Sequence, residues 1–380
     1  MDKNPLIYIL DTNTNSQEIL NSYIKDVLPD SNILSYKNYE EGLSAIKNES
    51  QELIVFIDLD SHVDEKVLSE IKLKTNNIIT MSLNYSTDLI VKAMRYGAKE
   101  FLTKPIIKED LIRIIDALKY QDNDDNNSKI ITIYSNKGGI GKTTIATNLA
   151  YELARTTHDK VALIDLNLQL GDIATFLNLS PAFDVSYVLN KLTEKREDTI
   201  LQAFEKYNDT SLYVLSDPNY IEQAESIKPS QIDSFFRALK KVFSYIVIDI
   251  SSNNDTLTLK ILDNSDWILF TTIVNLPAIR NCQRCLNLFQ SRHYPKDKIK
   301  IIINRYMEND EIKPEDIEIA LGAKIYWKIP NNYFTIMEAI NKGVSVNEIN
   351  SSSNIANSFR DLAIKISDDI IKEALSTHRG

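Results

Sequence analysis

The stretch Ile130–Ala150, IITIYSNKGGIGKTTIATNLA, constrains the fold more than any other part of the chain. IITIYS reads as a buried strand, a glycine-rich loop follows, and TTIATNLAYELA continues at helical spacing. A strand feeding a helix through glycines gathers backbone N–H groups and a helix N-terminus around one point, which is the chemistry that holds phosphate. Gly138, Gly139 and Gly141 open backbone angles closed to other residues and let the main chain approach a phosphate closely. Lys142 brings a cation to terminal phosphate oxygens and Thr143 a hydroxyl for Mg²⁺. A second lysine, Lys137, stands at the mouth of the loop and needs a role of its own.

The strict pattern G-x-x-x-x-G-K-[ST] fails, because Asn136 holds its first position. What remains, Lys137-Gly138-Gly139-Ile140-Gly141-Lys142-Thr143-Thr144, resembles the deviant phosphate loop of the MinD/ParA ATPases. That resemblance implies ATP and Mg²⁺ bound along these eight residues. It also implies that Lys137 reaches across a dimer interface to the nucleotide of the other subunit.

Companion motifs follow in the family's order. VALIDLNLQLGD carries Asp165, which the resemblance places near Mg²⁺ or its waters; Asp249 ends YIVIDI as the Walker B carboxylate. Asn304 of KIIINRY would read the base edge, with Arg305 and Pro330 flanking the adenine. Members that hydrolyse ATP readily show D-x-D in the switch, whereas this chain has Asp165-Leu166-Asn167. An amide cannot carry the negative charge that polarises water, nor take its proton. Lys137, Lys142, Asp165 and Asn167 are thus the expected catalytic set, with Thr143, Asp165 and Asp249 serving the metal and hydrolysis expected to be slow.

Upstream, apolar runs alternate with helical patterns: PLIYIL, NILSY, ELIVFID, NIITMS and EFLT as strands, each followed by a helix. Five such units within residues 1–118 predict a doubly wound parallel sheet with functional residues at the carboxyl ends of its strands. Asp58 ends ELIVFID, Ser82 ends NIITMS, and Lys104 follows EFLT ahead of Pro105. This order, and AMRYGAKEFLTKP above all, resembles a response-regulator receiver. The resemblance makes Asp58 a phospho-acceptor, Ser82 the hydroxyl beside it and Lys104 the steadying cation. Receivers place two adjacent carboxylates after the first strand, but here Thr12 follows Asp11. Losing one hard oxygen ligand weakens a Mg²⁺ site. A pseudo-receiver that binds partners or dimerises is the reading preferred over phosphorylation at Asp58.

The polar run KYQDNDDNNSK, residues 119–129, reads as a linker, leaving residues 130–380 as the ATPase domain. The fold class is therefore α/β, with two doubly wound parallel-sheet domains, one receiver-like (flavodoxin-like) and one a P-loop NTPase of MinD/ParA type.

A receiver-like domain ahead of such an ATPase resembles the TadZ/CpaE proteins, as do LNLQLGDIATFLNL, LYVLSDP and VNLPAIRNCQRCLNLF. This implies an ATP-dependent homodimer serving pilus or secretion assembly proteins, with placement at the cell pole reached through partners. A MinD/ParA-like positioning ATPase acting on DNA or the division machinery is the alternative, as is a non-catalytic scaffold stabilised by ATP. An NtrC-type activator is disfavoured by the deviant loop and by the lack of a C-terminal helix-turn-helix pattern.

Charge bears on these branches. Residues 1–128 hold 14 basic and 22 acidic side chains, while the remainder is nearly balanced, within a formal net charge of −10. The densest basic run, Arg280, Arg284, Arg292, Lys296, Lys298 and Lys300, reads as a solvated surface, so DNA binding is not expected. The last helix, NSFRDLAIKISDDIIKEAL, has no basic face, and no apolar run nears the roughly 18–20 residues of a membrane span. A cytoplasmic location without membrane insertion follows. Cys282 and Cys285 lack the further ligands a metal site needs and read as ordinary helix residues.

Overall fold

The computed structural model describes residues 6–49, 53–61, 65–75, 77–119, 128–191 and 200–377. The chain divides into two compact units, residues 1–124 with 366–380, and residues 125–365. Most of the expected linker, residues 120–127, lies outside the described residues.

In the first unit the strands are β1 (Leu6–Leu10), β2 (Asn32–Tyr36), β3 (Leu53–Asp58), β4 (Ile78–Ser82) and β5 (Glu100–Thr103). The helices are α1 (Thr14–Val27), α2 (Tyr39–Lys47), α3 (Glu65–Lys72), α4 (Thr87–Arg95) and α5 (Lys108–Lys119). All pairings are parallel and the order is β2-β1-β3-β4-β5, the flavodoxin-like arrangement. Alternate residues of each central strand serve opposite faces. Ile7, Ile9, Ile54 and Phe56 pack with Leu20, Ile24, Leu111 and Ile114, while Tyr8, Val55 and Ile57 pack with Ile46, Leu68 and Ile71. A strand covered on both sides needs no polar face, which is why β1, β3 and β4 read as unbroken apolar runs. Side chains of Asn13, Asn38 and Ser86 accept backbone N–H groups and start α1, α2 and α4 where the periodicity begins.

The second unit contains β6 (Lys129–Tyr134), β7 (Val161–Leu166), β8 (Glu205–Lys206), β9 (Leu212–Leu215), β10 (Tyr245–Ile250), β11 (Trp267–Ile273), β12 (Ile299–Tyr306) and β13 (Ile325–Pro330). Their order is β13-β12-β11-β6-β10-β7-β9-β8, parallel except for the short antiparallel edge strand β8. Helix α6 (Lys142–Thr157) leaves the loop after β6; the chain runs from β6 to one side of the sheet, to β7, and from the adjacent β10 to the other, to β11. That is the switch point where α/β sheets place ligands.

Cys282 and Cys285 are buried in the helix Leu276–Ser291, and burial pushes both thiols up, away from reactivity. The last helix, Asn354–Thr377, buries Ile355, Phe359, Leu362, Ala363 and Ile366. Among the described residues no helix is long and apolar enough to cross a membrane.

Phe289 backs the loop-bearing strand. It is fully buried, with its ring centroid 6.0 Å from Tyr134 and 5.9 Å from Phe270. Phe289→Ala should lower the stability of the second unit by about 3–5 kcal/mol, read from denaturant unfolding.

Candidate functional site

Three strands of the second unit deliver the acidic and polar groups that surround the glycine loop. Asp249 ends the apolar part of β10, opposite Ile133 of β6 and Asp165 of β7. Thr143 donates to Asp249 Oδ2 at 2.5 Å, while the buried Asp249 Oδ1 has no hydrogen-bond partner. Burial raises the Asp249 pKa to about 6, against the lowering effects of Thr143 and Lys142. Lys142 donates to Ser252 at 2.7 Å, and burial pulls its pKa down.

Asp165 is wholly buried and its carboxylate accepts three backbone N–H groups, from Asn167 at 3.0 Å, Asp172 at 3.0 Å and Ile173 at 3.1 Å. Burial and then the Asp249 charge push its pKa well up. Asp165 therefore shapes the loop that follows β7. Asn167 donates its amide to the Leu170 carbonyl at 2.5 Å, closing the same loop. Gly171 is required there, since a Cβ would come within 2.2 Å of Asp217 Cγ.

At the end of β12, Asn304 Nδ2 donates to the Ile140 carbonyl at 2.7 Å and Arg305 Nη2 to the Gly139 carbonyl at 2.9 Å. Asn304 thus touches the phosphate loop itself; one donor hydrogen and spare acceptor capacity remain for a base. Pro330 ends β13, opposite Tyr306. Lys137 is different from all of these. Its backbone N–H meets Ser135 Oγ at 3.2 Å, yet no described residue forms an ion pair or hydrogen bond with its ammonium.

These residues fit a nucleotide with Mg²⁺. The orphaned oxygen of Asp249 calls for a cation, and a Cβ at Gly138 or Gly139 would meet no described atom within 4 Å, leaving the loop's outer side open. Among the described residues no three His, Cys, Asp or Glu side chains are arranged to hold a metal. Mg²⁺ needs no such cage, because it binds through one or two protein groups, phosphate oxygens and water. Ser252 and Asp217 escaped sequence reasoning. Ser252 follows YIVIDI closely enough to have been noticed, but only the fold brings Asp217, after β9, to Gly171.

Residues 128–301 match the family described as AAA domain. The septum site-determining protein MinD of Thermotoga maritima is 29% identical over 244 residues, 62% of this chain and 87% of the relative. A ParA family ATPase from Chlorobium tepidum superposes with a TM-score of 0.59 at 23% identity, covering 63% of this chain and 98% of that one. MinD from Pyrococcus horikoshii, solved as a complex with Mg-ADP, gives 0.55 at 21% identity, with 63% and 96% covered. The second unit thus has the α/β parallel-sheet fold of the MinD/ParA P-loop NTPases.

The first unit has its own charged cluster at the carboxyl ends of its strands. Lys104 Nζ lies 2.5 Å from Asp58, 2.9 Å from Asp11 and 3.7 Å from Asp60. Sequence reasoning foresaw Asp11, Asp58, Ser82 and Lys104 but missed Asp60, the third carboxylate. Ser82 donates to Asp60 at 2.6 Å, and Thr12 and Ser61 share a hydrogen bond of 2.8 Å. Burial raises the Asp58 pKa, opposed by Lys104. The basic run after Arg280 is partly engaged: Arg292 forks onto Asp263, and Lys298 and Lys300 lie over the rings of Tyr294 and Trp267.

Removing one partner of a buried ion pair leaves an uncompensated charge. Lys104→Met should destabilise the first unit by about 3–5 kcal/mol in denaturant unfolding, and adding Asp58→Asn should recover part of that loss.

Proposed function

We propose that this chain is an ATPase that binds ATP with Mg²⁺, hydrolyses it slowly and dimerises on binding it. The carrying observation is the contrast between the two lysines of one loop. Lys142 is anchored on Ser252 beside Asp249, whereas Lys137 presents an ammonium that no described residue uses. Bound Mg-ATP supplies the triphosphate on which lysines from two subunits converge. Lys142 and Thr143 would hold it with Asp249 beneath, and Lys137 would serve the nucleotide of the partner. Exposed Leu170, Tyr220, Leu276, Met307, Tyr333 and Phe334 all follow the carboxyl ends of strands, the same edge as Lys137. An apolar rim of that kind suits a second copy of the chain.

Such a dimer would localise or help assemble a tight-adherence (Flp/Tad) pilus machine. Support for this reading is the flavodoxin-like unit preceding a deviant-loop ATPase, the TadZ/CpaE combination, with the receiver-like unit recruiting partners. The alternative, a positioning ATPase acting on division machinery, is favoured by the septum-site role in the names of several relatives. Deleting the gene separates the two: loss of pili with normal septa supports the first, and misplaced septa the second.

Dimerisation is tested by mass in solution for wild type and Lys137→Ala with ATP, ADP and no nucleotide. Doubling should occur only in wild type with ATP. An unchanged mass across all six samples removes the switch.

Hydrolysis is tested by turnover of the purified protein. Because the Asn167 amide is held by Leu170, Asn167→Ala should change a slow rate only modestly, far short of the 10²–10⁴-fold loss of a positioned general base. Rapid turnover that persists in Asn167→Ala would refute the slow-hydrolysis reading.

A further inference from the structure

Two adjacent side chains at the end of β12 grip the phosphate loop from outside. Asn304 holds the carbonyl of Ile140 at 2.7 Å and Arg305 holds that of Gly139 at 2.9 Å. The pair is braced internally, because Asn304 Oδ1 accepts the Arg305 N–H at 2.9 Å. Arg305 adopts φ +55°, a left-handed conformation that a non-glycine residue keeps only where its surroundings impose it. Gly141, at φ +93°, completes the fit: a Cβ there would lie 2.5 Å from Asn304 Nδ2.

Planarity of the peptide bond turns this grip into a phosphate geometry. In a trans peptide the C=O of one residue and the N–H of the next point in opposite directions. Fixing the carbonyls of Gly139 and Ile140 toward β12 therefore turns the N–H groups of Ile140 and Gly141 away from it. Successive N–H groups held in one direction form an anion-binding nest. We propose that Asn304 and Arg305 are positioning residues that set the peptide units of the phosphate loop for triphosphate, independent of which base is attached. This rests on the nucleotide reading above and gives Asn304 a role other than the base contact that family resemblance implies.

The two roles differ in what they discriminate. A base reader affects ATP alone, whereas a loop clamp affects every ligand that carries the triphosphate. Calorimetric titration of the full chain with Mg-ATP, Mg-GTP and inorganic tripolyphosphate plus Mg²⁺ separates them, for wild type, Asn304→Ala, Arg305→Ala and Arg305→Gly. Arg305 is exposed, so its replacement leaves the core intact, and glycine accepts the left-handed backbone without strain. Every variant should weaken all three ligands by a similar factor, about five- to tenfold for a lost hydrogen bond. Arg305→Gly should do so with a thermal midpoint no lower than wild type, which a merely structural residue would not show. Loss confined to ATP, or wild-type affinities in Arg305→Gly, would overturn the clamp. Wild-type protein that binds none of the three would instead overturn the nucleotide site and the clamp with it.

Discussion

The hydrogen bond from Thr143 to Asp249 joins the first turn of α6 to the middle of the second sheet, and the site is built around it. Asp249 sits at the end of a strand whose other residues are all buried, between β6 and β7 in register. Leaving a carboxylate oxygen buried without a partner opposes folding by about 1–3 kcal/mol or more. The dense apolar packing on both faces of the sheet offsets that penalty. Negative charge gathers there: the Asp249 charge adds to burial in raising the Asp165 pKa, while Lys142, its own pKa lowered by burial, donates to Ser252. Under the proposed function a divalent ion would meet the carboxylates, and the phosphates that accompany it would meet Lys142.

The first unit resolves the same problem internally. Its carboxylates also gather at the carboxyl ends of parallel strands, where the fold leaves a crevice. There, however, Lys104 reaches into the cluster and contacts two buried aspartates directly. The two units thus share an architecture but treat their carboxylates differently: in the first a lysine of the chain contacts them, whereas in the second Asp249 Oδ1 keeps no partner among the described residues.

Much of this was legible beforehand. Every strand and helix of the first unit was marked by apolar periodicity, because a doubly wound sheet buries its central strands on both faces and each crossing helix on one. The loop from Lys137 to Thr144, and Asp165 and Asp249 at the ends of apolar strands, were legible for the same reason. Less visible were groups brought in by loops. Asp60 belongs to a segment without periodicity, and Asp217 lies far from Gly171 in sequence. The short strands β8 and β9 carry too few residues for an alternating pattern to emerge. Asn304 was recognised, but the bond it makes was not, since an asparagine after a strand can serve a base or a backbone carbonyl equally well.

The sequence by itself determined the order of strands and helices in the first unit, the position of the phosphate loop, and which residue types could meet a nucleotide and its ion. These are local matters, written in periodicity and in the backbone freedom of glycine. Only the tertiary structure decided that Lys142 is anchored on Ser252, that Asp165 holds the loop after β7 through three N–H groups, and that Asn304 and Arg305 grip the phosphate loop's carbonyls. The lysine anchor and the grip on the loop join segments more than a hundred residues apart, and a hydrogen bond exists only where packing brings donor and acceptor to about 3 Å.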